Sequence, residues 1–506
     1  MENNTTIYLP ICDKVVTAEV GCDYSMPDYQ PEVRRLLRVR ATVLPPSSYA
    51  GAGKAEFAGA VRYDILYSGN DGNLYSATTA ENYELSAPLD KDADVDYSDE
   101  IPVFCEVSPE LVTSRVTAPR KLSIRCRLRG LIRAFGRHRL CERMIGEVPS
   151  KGIERLAGES TCAALTGRVS ESFTLSDEVP VDGGAGELRV ISSEAVLNVT
   201  EAVPTEEGVG CRGEATLKLL LCYDGSEGLP FVTTRRIPFA VTVPADGFGT
   251  DMSCRAVGRC TDRSAEVTED GRVLCDLSAS VTVEGQRNVP VLYTADLYSV
   301  ERESGEVFAE YKFPRAARCI TGNFTQSVYE PLSSFGLESD CEVLDVVASA
   351  SVDNVTHDRG KWVLTGESRL NLLMHTGGEY ATHDIVLPFR YEADGEGGVP
   401  MLVAADVAMV SGRARVEGGR LGLECEMAVS ARVCVEDSLT ALTEAQFGEA
   451  LEKPSEMVVA FPARGETLWS LAKRYHVSLA ALAKLNATPA SPASVLNMGE
   501  PIVVNE

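Results

Sequence analysis

The sequence predicts a mainly β protein, in which three tandem all-β domains are followed by a small βααβ domain. Apolar and polar residues alternate at period 2 in three segments spaced by about 150 residues, which is typical of half-buried strands repeated in tandem. Helical periodicity is nearly absent before residue 440, whereas the last part of the chain has two short amphipathic runs. At 506 residues the chain exceeds what one core normally organises, so several domains are expected.

The first repeated block is a strand that follows a glycine in each copy, at Gly59, Gly213 and Gly366. The residues four, six and eight places after each glycine are large and apolar, as burial of one strand face requires. We therefore predict an equivalent buried strand in every copy. The predicted inward residues are Tyr63, Ile65 and Tyr67, then Leu217, Leu219 and Leu221, then Leu370, Leu372 and Met374.

The second repeated block is centred on a cysteine, at Cys126, Cys275 and Cys425. Its inward positions stay apolar in all copies. The outward residue after the cysteine changes from Arg127 to Asp276 to Glu426. A buried position would not accept this charge reversal without a new partner, so this face is predicted to be wet or to meet a different partner in each copy.

Turn residues separate the alternating runs ahead of this block in the two later copies, at 269–271 and 417–419. Both turns contain glycine, which accepts the positive φ angles of tight hairpins. Each copy is therefore predicted to be a strand meander, and the three are expected to form an elongated acidic array. The predicted domains are 1–170, 171–325 and 326–440, followed by an acidic linker at 441–456 and the βααβ domain at 457–506.

The C-terminal βααβ domain can be predicted element by element. Residues 458–461 and 502–504 are predicted to pair as short strands. A loop at 463–467 leads into a first helix, and a second helix spans 479–485 and ends at Asn486. Thr467 is placed to cap the first helix. Leu468 and Leu471 fall at helical spacing and are predicted to be core residues.

This tail resembles a LysM domain, a family known to read N-acetylglucosamine chains. The resemblance implies a binding surface made by the loop ahead of the first helix and the loop after the second. Glu466 stands where aspartate is usual in the family, and the second loop, 487–496, offers few side-chain donors for sugar hydroxyls. The residues assigned to this surface are Gly465, Glu466, Thr467, Trp469, Asn486, Asn497, Met498 and Gly499.

Three β repeats, an acidic linker and a LysM-like tail together resemble the SPOCS-repeat spore-coat morphogenetic proteins of endospore-forming bacteria. That resemblance implies a non-enzymatic scaffold, without cofactors, in the mother-cell cytoplasm at the forespore surface. Its LysM domain would tether a coat morphogenetic ATPase, and its β repeats would bind other coat proteins. The alternative is a peptidoglycan- or N-acetylglucosamine-binding protein of the spore envelope. A wall hydrolase with a LysM targeting tail is a third reading, but it needs a catalytic domain.

Composition limits the classes of partner. The 48 basic and 74 acidic side chains give a formal charge of −26, which disfavours nucleic acid and anionic membranes as main partners. No apolar run reaches the length of a membrane helix, and the chain starts without the basic and apolar parts of an export signal. The 15 cysteines are odd in number and lack CxxC pairs, so free thiols in a reducing cytoplasm are expected.

Two local charge features have competing interpretations. Arg125, Arg127 and Arg129 alternate along one strand face. One interpretation is a docking stripe that binds an acidic partner or lipid headgroups. The other is that these arginines pair internally with the acidic run 90–100. The tail is slightly basic against an acidic body, which favours an acidic partner unless its lysines and arginines only solvate the helices. Trp469 is either an exposed interface anchor or a half-buried structural residue.

Catalytic and metal signatures are missing from the sequence. It contains no GxSxG, Walker or HExxH motif, and its carboxylates follow no acid/base pattern. His375 and His383 flank a Gly-Gly turn and could face each other across a hairpin. Two histidines without a third ligand at fixed spacing are more typical of a surface hairpin than of a metal site, so no metal is predicted.

Overall fold

The computed structural model describes residues 6–51, 53–90, 95–96, 101–184, 186–224, 228–337, 341–452 and 456–505. Within them, strands dominate up to the tail, where two short helices occur. The predicted mainly β class with a terminal βααβ domain is confirmed. The alternation of apolar and polar residues produces this result, because it gives each strand one face to bury.

The first unit contains β1 (Thr6–Ser25), β2 (Val33–Val43), β3 (Ser47–Gly51), β4 (Lys54–Gly69), β5 (Leu74–Pro88), β6 (Val95–Asp96), β7 (Val103–Ala118) and β8 (Lys121–Arg139), and is followed by β9 (Arg143–Gly146). The second contains β10 (Ile153–Val179), β11 (Glu187–Thr205), β12 (Gly208–Asp224), β13 (Phe231–Val243), β14 (Ser253–Val267) and β15 (Val273–Ser299). The third contains β16 (Arg302–Pro331), a 3₁₀ turn (Leu332–Phe335), β17 (Glu342–Asp358), β18 (Lys361–Thr376), β19 (Glu379–Asp394), β20 (Pro400–Glu417) and β21 (Arg420–Ala450). The tail contains β22 (Val458–Ala460), α1 (Leu468–Arg474), α2 (Leu479–Leu485) and β23 (Ile502–Asn505).

All three units share one topology. The first strand of the unit pairs with its last, and the last pairs with the strand before it, as in β10-β15-β14. The three strands between form an antiparallel meander, as in β11-β12-β13. The two sheets enclose one apolar core in each unit. The short strands β3 and β6 are additions to the first unit, where they pair with β4 and β8.

The two sequence blocks lie at equivalent places in this topology. The glycine-led block forms the central meander strand, β4, β12 or β18, and its predicted inward residues are buried. The cysteine block forms the start of the last strand, and Cys126, Cys275 and Cys425 are almost fully buried. Burial raises the pKa of each of these three thiols to about 11, so they remain protonated and behave as small apolar groups.

The charge reversal beside the cysteine follows the environment of each copy, as predicted. Arg127 lies 3.6 Å from Glu19 within its own unit. Asp276 accepts a hydrogen bond from Ser176, which the neighbouring strand presents. Glu426 lies 2.6 Å from Arg236, which belongs to another unit.

The structure corrects the predicted boundaries. Positions 170/171, 325/326 and 440/441 fall inside the continuous strands β10, β16 and β21. The predicted acidic linker begins within β21, whose residues up to Ala450 pair with β16. Acidic residues there lie on the exposed side of a strand, and composition alone does not distinguish that pattern from a linker. Residues 453–455 lie outside the described residues.

The expected elongated arrangement is also wrong, because each β unit contacts both of the others. Asp345 of the third unit accepts from Arg38 of the first at 3.2 Å and from Lys218 of the second at 2.8 Å. Arg40 of the first unit lies 3.5 Å from Glu194 of the second. The side chain of Asp345 is 2% exposed, so this ion network is buried where three units meet.

An apolar cluster beside that network has one contribution from the same position of each unit. Leu66, Leu220 and Leu373 occupy equivalent places on the three central meander strands and pack in one cluster. Each unit also has a β-bulge opposite this leucine, and the bulged residue, Leu37, Ile191 or Leu344, joins the cluster. Bulges redirect a side chain out of the regular alternation, which is why period 2 did not predict this contact.

A second buried charge cluster joins the units elsewhere. Glu284 of the second unit lies 3.2 Å from Arg255 of the same unit. It also lies 3.5 Å from Arg432 of the third unit. The Arg432 side chain is fully buried and its guanidinium lies 4.1 Å from the ring centre of Phe104 in the first unit. Burial opposes the charged form of Glu284, but Arg432, Arg255 and Arg168 outweigh it and hold the pKa of Glu284 at about 2.

The long strands of the second and third units continue past their sandwiches as two-stranded ribbons. Residues 153–165 pair with 286–299 in one ribbon, and residues 302–316 pair with 434–450 in the other. The strand β9 adds to the second ribbon in parallel to β21. Apolar side chains join the ribbons, including Leu297, Leu442 and Phe447.

No helix in the described part of the chain has the length and apolar character needed to span a bilayer.

Candidate binding site on the C-terminal domain

The tail folds as predicted. Strands β22 and β23 pair antiparallel, and the buried faces of α1 and α2 pack beside them. Leu468 and Leu471 are fully buried. Thr467 caps α1 in a reciprocal box: its hydroxyl accepts from the Ser470 amide at 3.2 Å, and its own amide donates to the Ser470 hydroxyl at 2.9 Å. The cap fixes the angle at which the first loop enters the helix.

The two predicted binding loops lie side by side. The Leu468 amide donates to the Ser494 carbonyl at 2.9 Å, and the Leu496 amide donates to the Glu466 carbonyl at 2.9 Å. A β-bridge links Thr467 to Val495 between them. We call the surface formed by 461–467 and 494–499 the loop face.

Two predicted site residues are used for the fold of the tail instead. The Glu466 carboxylate accepts from the Ala463 amide at 2.8 Å and pairs with Arg474 at 3.0 Å, so it closes the first loop. The Asn486 amide group donates to the Val503 carbonyl at 2.7 Å and accepts from the Val503 amide at 2.8 Å, which joins the end of α2 to β23.

Apolar side chains stand out on the loop face. Phe461, Val495 and Met498 are 64%, 66% and 71% exposed. Of the other predicted site residues there, Gly465 and Gly499 have φ angles of +80° and +81° and shape the turns, and the Asn497 amide donates to Glu500 at 2.8 Å. The LysM resemblance pointed to Met498 but not to Phe461 or Val495, and no residue pattern could have found them, because isolated apolar residues in a loop carry no periodicity.

Trp469 does not lie on the loop face. It is 5% exposed and packs edge-on against Tyr298 of β15, with the ring centres 4.9 Å apart. Its indole nitrogen donates to the Asp296 carboxylate at 2.7 Å. Of the two interpretations of Trp469, the structural one holds, because a β unit already covers this side chain.

Trp469 belongs to a docking contact between α1 and the ribbons. Lys473 lies 2.6 Å from Asp296 and 3.2 Å from Glu306, so it joins the second and third units to the tail. The Tyr298 hydroxyl donates to the Val477 carbonyl at 2.8 Å, and a ring nitrogen of His476 lies 2.9 Å from the Ser299 carbonyl oxygen. We call this contact the α1 dock. No sequence motif marks Asp296, Tyr298 or Glu306.

The α1 dock alters the electrostatic prediction for the tail. Lys473 and Arg474 are paired within the protein. Arg464 and Lys484 are exposed and have no ion pair with any residue that the structure describes. Two of the four basic side chains of the tail are therefore paired internally, and the predicted attraction for an acidic partner rests on Arg464 and Lys484.

The basic stripe on β8 is also partly paired. Arg125 lies 3.4 Å from Asp23 and Arg127 lies 3.6 Å from Glu19, both on β1. These partners differ from the acidic run 90–100, much of which lies outside the described residues. Both pairs are solvent-exposed and contribute little to stability. The Arg129 side chain has no hydrogen bond or ion pair with a described residue.

The two histidines of the third unit do not face each other. His375 lies opposite Tyr380 and His383 lies opposite Leu372 in the β18–β19 register. No group of three or more candidate metal ligands occurs among the residues placed by the structure.

Comparison with known protein families identifies the family of the tail. The LysM domain family model matches residues 463–505, which are the loops, helices and final strand described above. The tail is therefore a LysM domain, and this class suggests peptidoglycan or glycan binding. The search of curated proteins and the search of solved structures gave no significant match. The resemblance of the β units to SPOCS repeats stays a prediction.

Proposed function

We propose that this protein is a non-enzymatic scaffold for endospore coat assembly, located in the mother-cell cytoplasm at the forespore surface. Its LysM loop face binds a coat morphogenetic ATPase, and its β units bind other coat proteins. The observation that carries the proposal is the exposure of Phe461, Val495 and Met498 together on the loop face.

The chemistry of the loop face favours a protein partner. Apolar anchors that become buried supply most of the binding energy at protein interfaces. A glycan needs hydrogen-bonding groups for its hydroxyls, and the carboxylate of Glu466 and the amide of Asn486 are already occupied within the domain. The Asn497 amide is similarly engaged by Glu500. The loop face therefore presents mostly apolar side chains and main-chain groups.

The attachment of the domain supports a scaffold role. The α1 dock holds the side of the LysM domain that carries Trp469, so the loop face stays open to a partner. Burial of Tyr298 and Trp469 in one cluster gives the domain a fixed orientation on the ribbons. A tether with a fixed orientation loses less conformational entropy on binding than a domain on a flexible linker.

Glycan binding is the second candidate, and the LysM match supports it. In this case the main-chain groups of the two adjacent loops would contact the sugar, and the exposed apolar side chains would pack on its ring faces. The protein would then be a peptidoglycan- or N-acetylglucosamine-binding protein of the spore envelope.

One experiment separates the two candidates. The full chain is tested in parallel for capture of the purified coat ATPase and for retention on peptidoglycan sacculi. We expect capture without retention, and we expect Val495→Ser to weaken capture at least ~10-fold, which corresponds to about 1.4 kcal/mol. Val399→Ser is the matched control, because Val399 is 67% exposed on a β-unit loop against 66% for Val495.

The opposite results are equally clear. The protein could instead be retained on sacculi, with retention competed away by chitin oligosaccharides, and fail to capture the ATPase. That result would contradict the scaffold function and support the glycan-binding function. An equal loss of capture in Val495→Ser and Val399→Ser would show that the loop face does not bind the ATPase.

A further inference from the structure

A large cleft separates the first and second β units. Its volume is about 870 Å³, which lies within the range of small-molecule sites. Hydroxyl groups dominate its wall, and they come from the β3 region on one side and from β10 and β15 on the other. The hydroxyl-bearing residues include Ser47, Ser48, Ser170, Ser172, Ser280 and Thr282. We call this space the hydroxyl chamber.

A smaller cavity of about 210 Å³ continues from it to the junction of all three units. The two spaces share Pro45, Pro46, Arg168 and Thr282 in their walls. Four guanidinium groups line the smaller space, from Arg129, Arg168, Arg255 and Arg259. We call it the arginine chamber.

The carboxylates around the arginine chamber do not balance these cations. Asp406 pairs with Arg259 at 3.0 Å, and Glu284 pairs with Arg168 at 3.3 Å and with Arg255 at 3.2 Å. Glu106 is the other acid in the wall, and burial raises its pKa, which favours its neutral form.

Arg129 remains without a counter-charge in the chamber, since none of the described residues pairs with it. A guanidinium has five donors in a fixed fork that suits a phosphate or carboxylate group. Arg129 is also exposed to solvent, and together with the three other arginines it gives the chamber an excess positive charge.

The hydroxyl chamber also contains an unsatisfied buried group. Tyr83 lines this space, is 4% exposed, and its hydroxyl has no hydrogen-bond partner within the structure. Gly59 faces it, and a Cβ at that position would lie 2.7 Å from the Tyr83 oxygen. A buried hydroxyl without a partner costs about 1–3 kcal/mol, and solvent does not reach this oxygen.

We propose that the joined chambers bind a small polyhydroxylated anion, such as a sugar that carries a phosphate or a carboxylate. The anionic group lies in the arginine chamber against Arg129. The hydroxyl-bearing body lies in the hydroxyl chamber against the serines that line it. This site is separate from the loop face and exists only when the three units are assembled, because each unit contributes to the arginine chamber.

The test is isothermal titration of the full chain with four probes: glucose 6-phosphate, glucuronate, glucose and inorganic phosphate. We expect saturable binding of at least one of the two anionic sugars, tighter than that of glucose or of phosphate alone. Binding of the phosphorylated sugar only, or of the sugar acid only, would identify which anionic group the chamber takes.

Paired variants locate the site. Arg129→Gln is expected to weaken binding of the anionic sugar at least ~10-fold, which is about 1.4 kcal/mol. Arg125→Gln removes an arginine from the same face of β8 but outside the cavity, and it is expected to leave affinity unchanged. Since the Arg129 side chain has no partner among the described residues, its variant should keep the parent's thermal midpoint.

Three results would overturn the proposal. They are no saturable binding of either anionic sugar, equal binding of glucose, and equal weakening by Arg129→Gln and Arg125→Gln. Binding of inorganic phosphate as tightly as the phosphorylated sugar would show that the hydroxyl chamber does not contribute to binding.

Discussion

At the scale of single residues, Asp296 connects the LysM domain to the rest of the molecule. Its two carboxylate oxygens accept from the Trp469 indole at 2.7 Å and from the Lys473 ammonium at 2.6 Å. Nothing in the sequence around Asp296 distinguishes it from the many other carboxylates. Its role follows only from its position at the ribbon end, where α1 arrives.

Removal of this carboxylate should loosen the α1 dock. In Asp296→Ala, Lys473 keeps Glu306 but the Trp469 indole loses its hydrogen bond to Asp296, so the indole should become more exposed to water. The chain has two tryptophans, so a Trp362→Phe background leaves Trp469 as the only tryptophan. With selective excitation of tryptophan, we expect its fluorescence to shift to the red. Glu159→Gln, an exposed change on the same ribbon, is the control and should give no shift. An unchanged spectrum in Asp296→Ala would show that packing on Tyr298 alone holds the dock.

At the scale of secondary-structure elements, short pieces depend on side chains that replace missing backbone partners. The helices α1 and α2 have seven residues each, which is too short for stability without caps and packing. Thr467 supplies the cap at the start of α1. Asn486 supplies both a donor and an acceptor to β23, which has four residues and one strand neighbour.

We expect Asn486→Ala to destabilise the attachment of β23. The change leaves the Val503 amide and carbonyl without the partners that Asn486 provides, which should cost about 1–3 kcal/mol. Hydrogen exchange of the Val503 amide should accelerate by roughly 10-fold or more in the full chain, since a factor of ten corresponds to about 1.4 kcal/mol. Asn497→Ala is the matched control, because among the described residues the Asn497 side chain bonds the exposed Glu500 alone. Equal exchange rates in both variants would contradict the structural role of Asn486.

At the scale of the whole molecule, buried charges hold the three units together. The Asp345 network and the Glu284 cluster each contain residues from more than one unit. Breaking one partner of such a buried network leaves an uncompensated charge, which is costly. Stability of the assembled protein should therefore depend on pH through these groups.

The pH dependence has a defined sign. Arg432, Arg255 and Arg168 overcome the effect of burial and hold the pKa of Glu284 at about 2, below its ordinary value. Its stabilisation is therefore complete at pH values above the pKa of an unfolded glutamate, ~4.3, and is lost as the pH falls through about 2. We expect Glu284→Gln to lower the free energy of unfolding at pH 7 by about 3–5 kcal/mol. The gap between parent and variant should narrow at pH 3, as measured by urea denaturation.

Glu424→Gln provides the control for this experiment, because Glu424 is exposed on β21 in the same protein. Its effect should be small at both pH values. A gap between the parent and Glu284→Gln that stays constant from pH 7 to pH 3 would mean that the Glu284 carboxylate does not carry the pH dependence.

Much of the fold could be predicted because it depends on local pattern. Period-2 alternation placed the repeated strands, and Tyr63, Leu217 and Leu370 are buried as predicted. Helical spacing and the cap residue placed α1 and α2, since the relevant contacts lie within one or two turns. The contiguous LysM motif likewise located the two loops of the candidate site.

Tertiary structure alone decided how these pieces meet. Strands β10, β16 and β21 continue through the predicted boundaries because alternation looks the same inside a sandwich and along a ribbon. The bulged Leu37, Ile191 and Leu344 break the alternation, and their contacts join units more than a hundred residues apart in sequence. The sequence by itself determined which faces are apolar, since that is a local property. Which apolar or charged face meets which other face depends on long-range packing. For this reason only the structure showed that Trp469 is covered and that Arg129 lines a cavity without a counter-charge from any described residue.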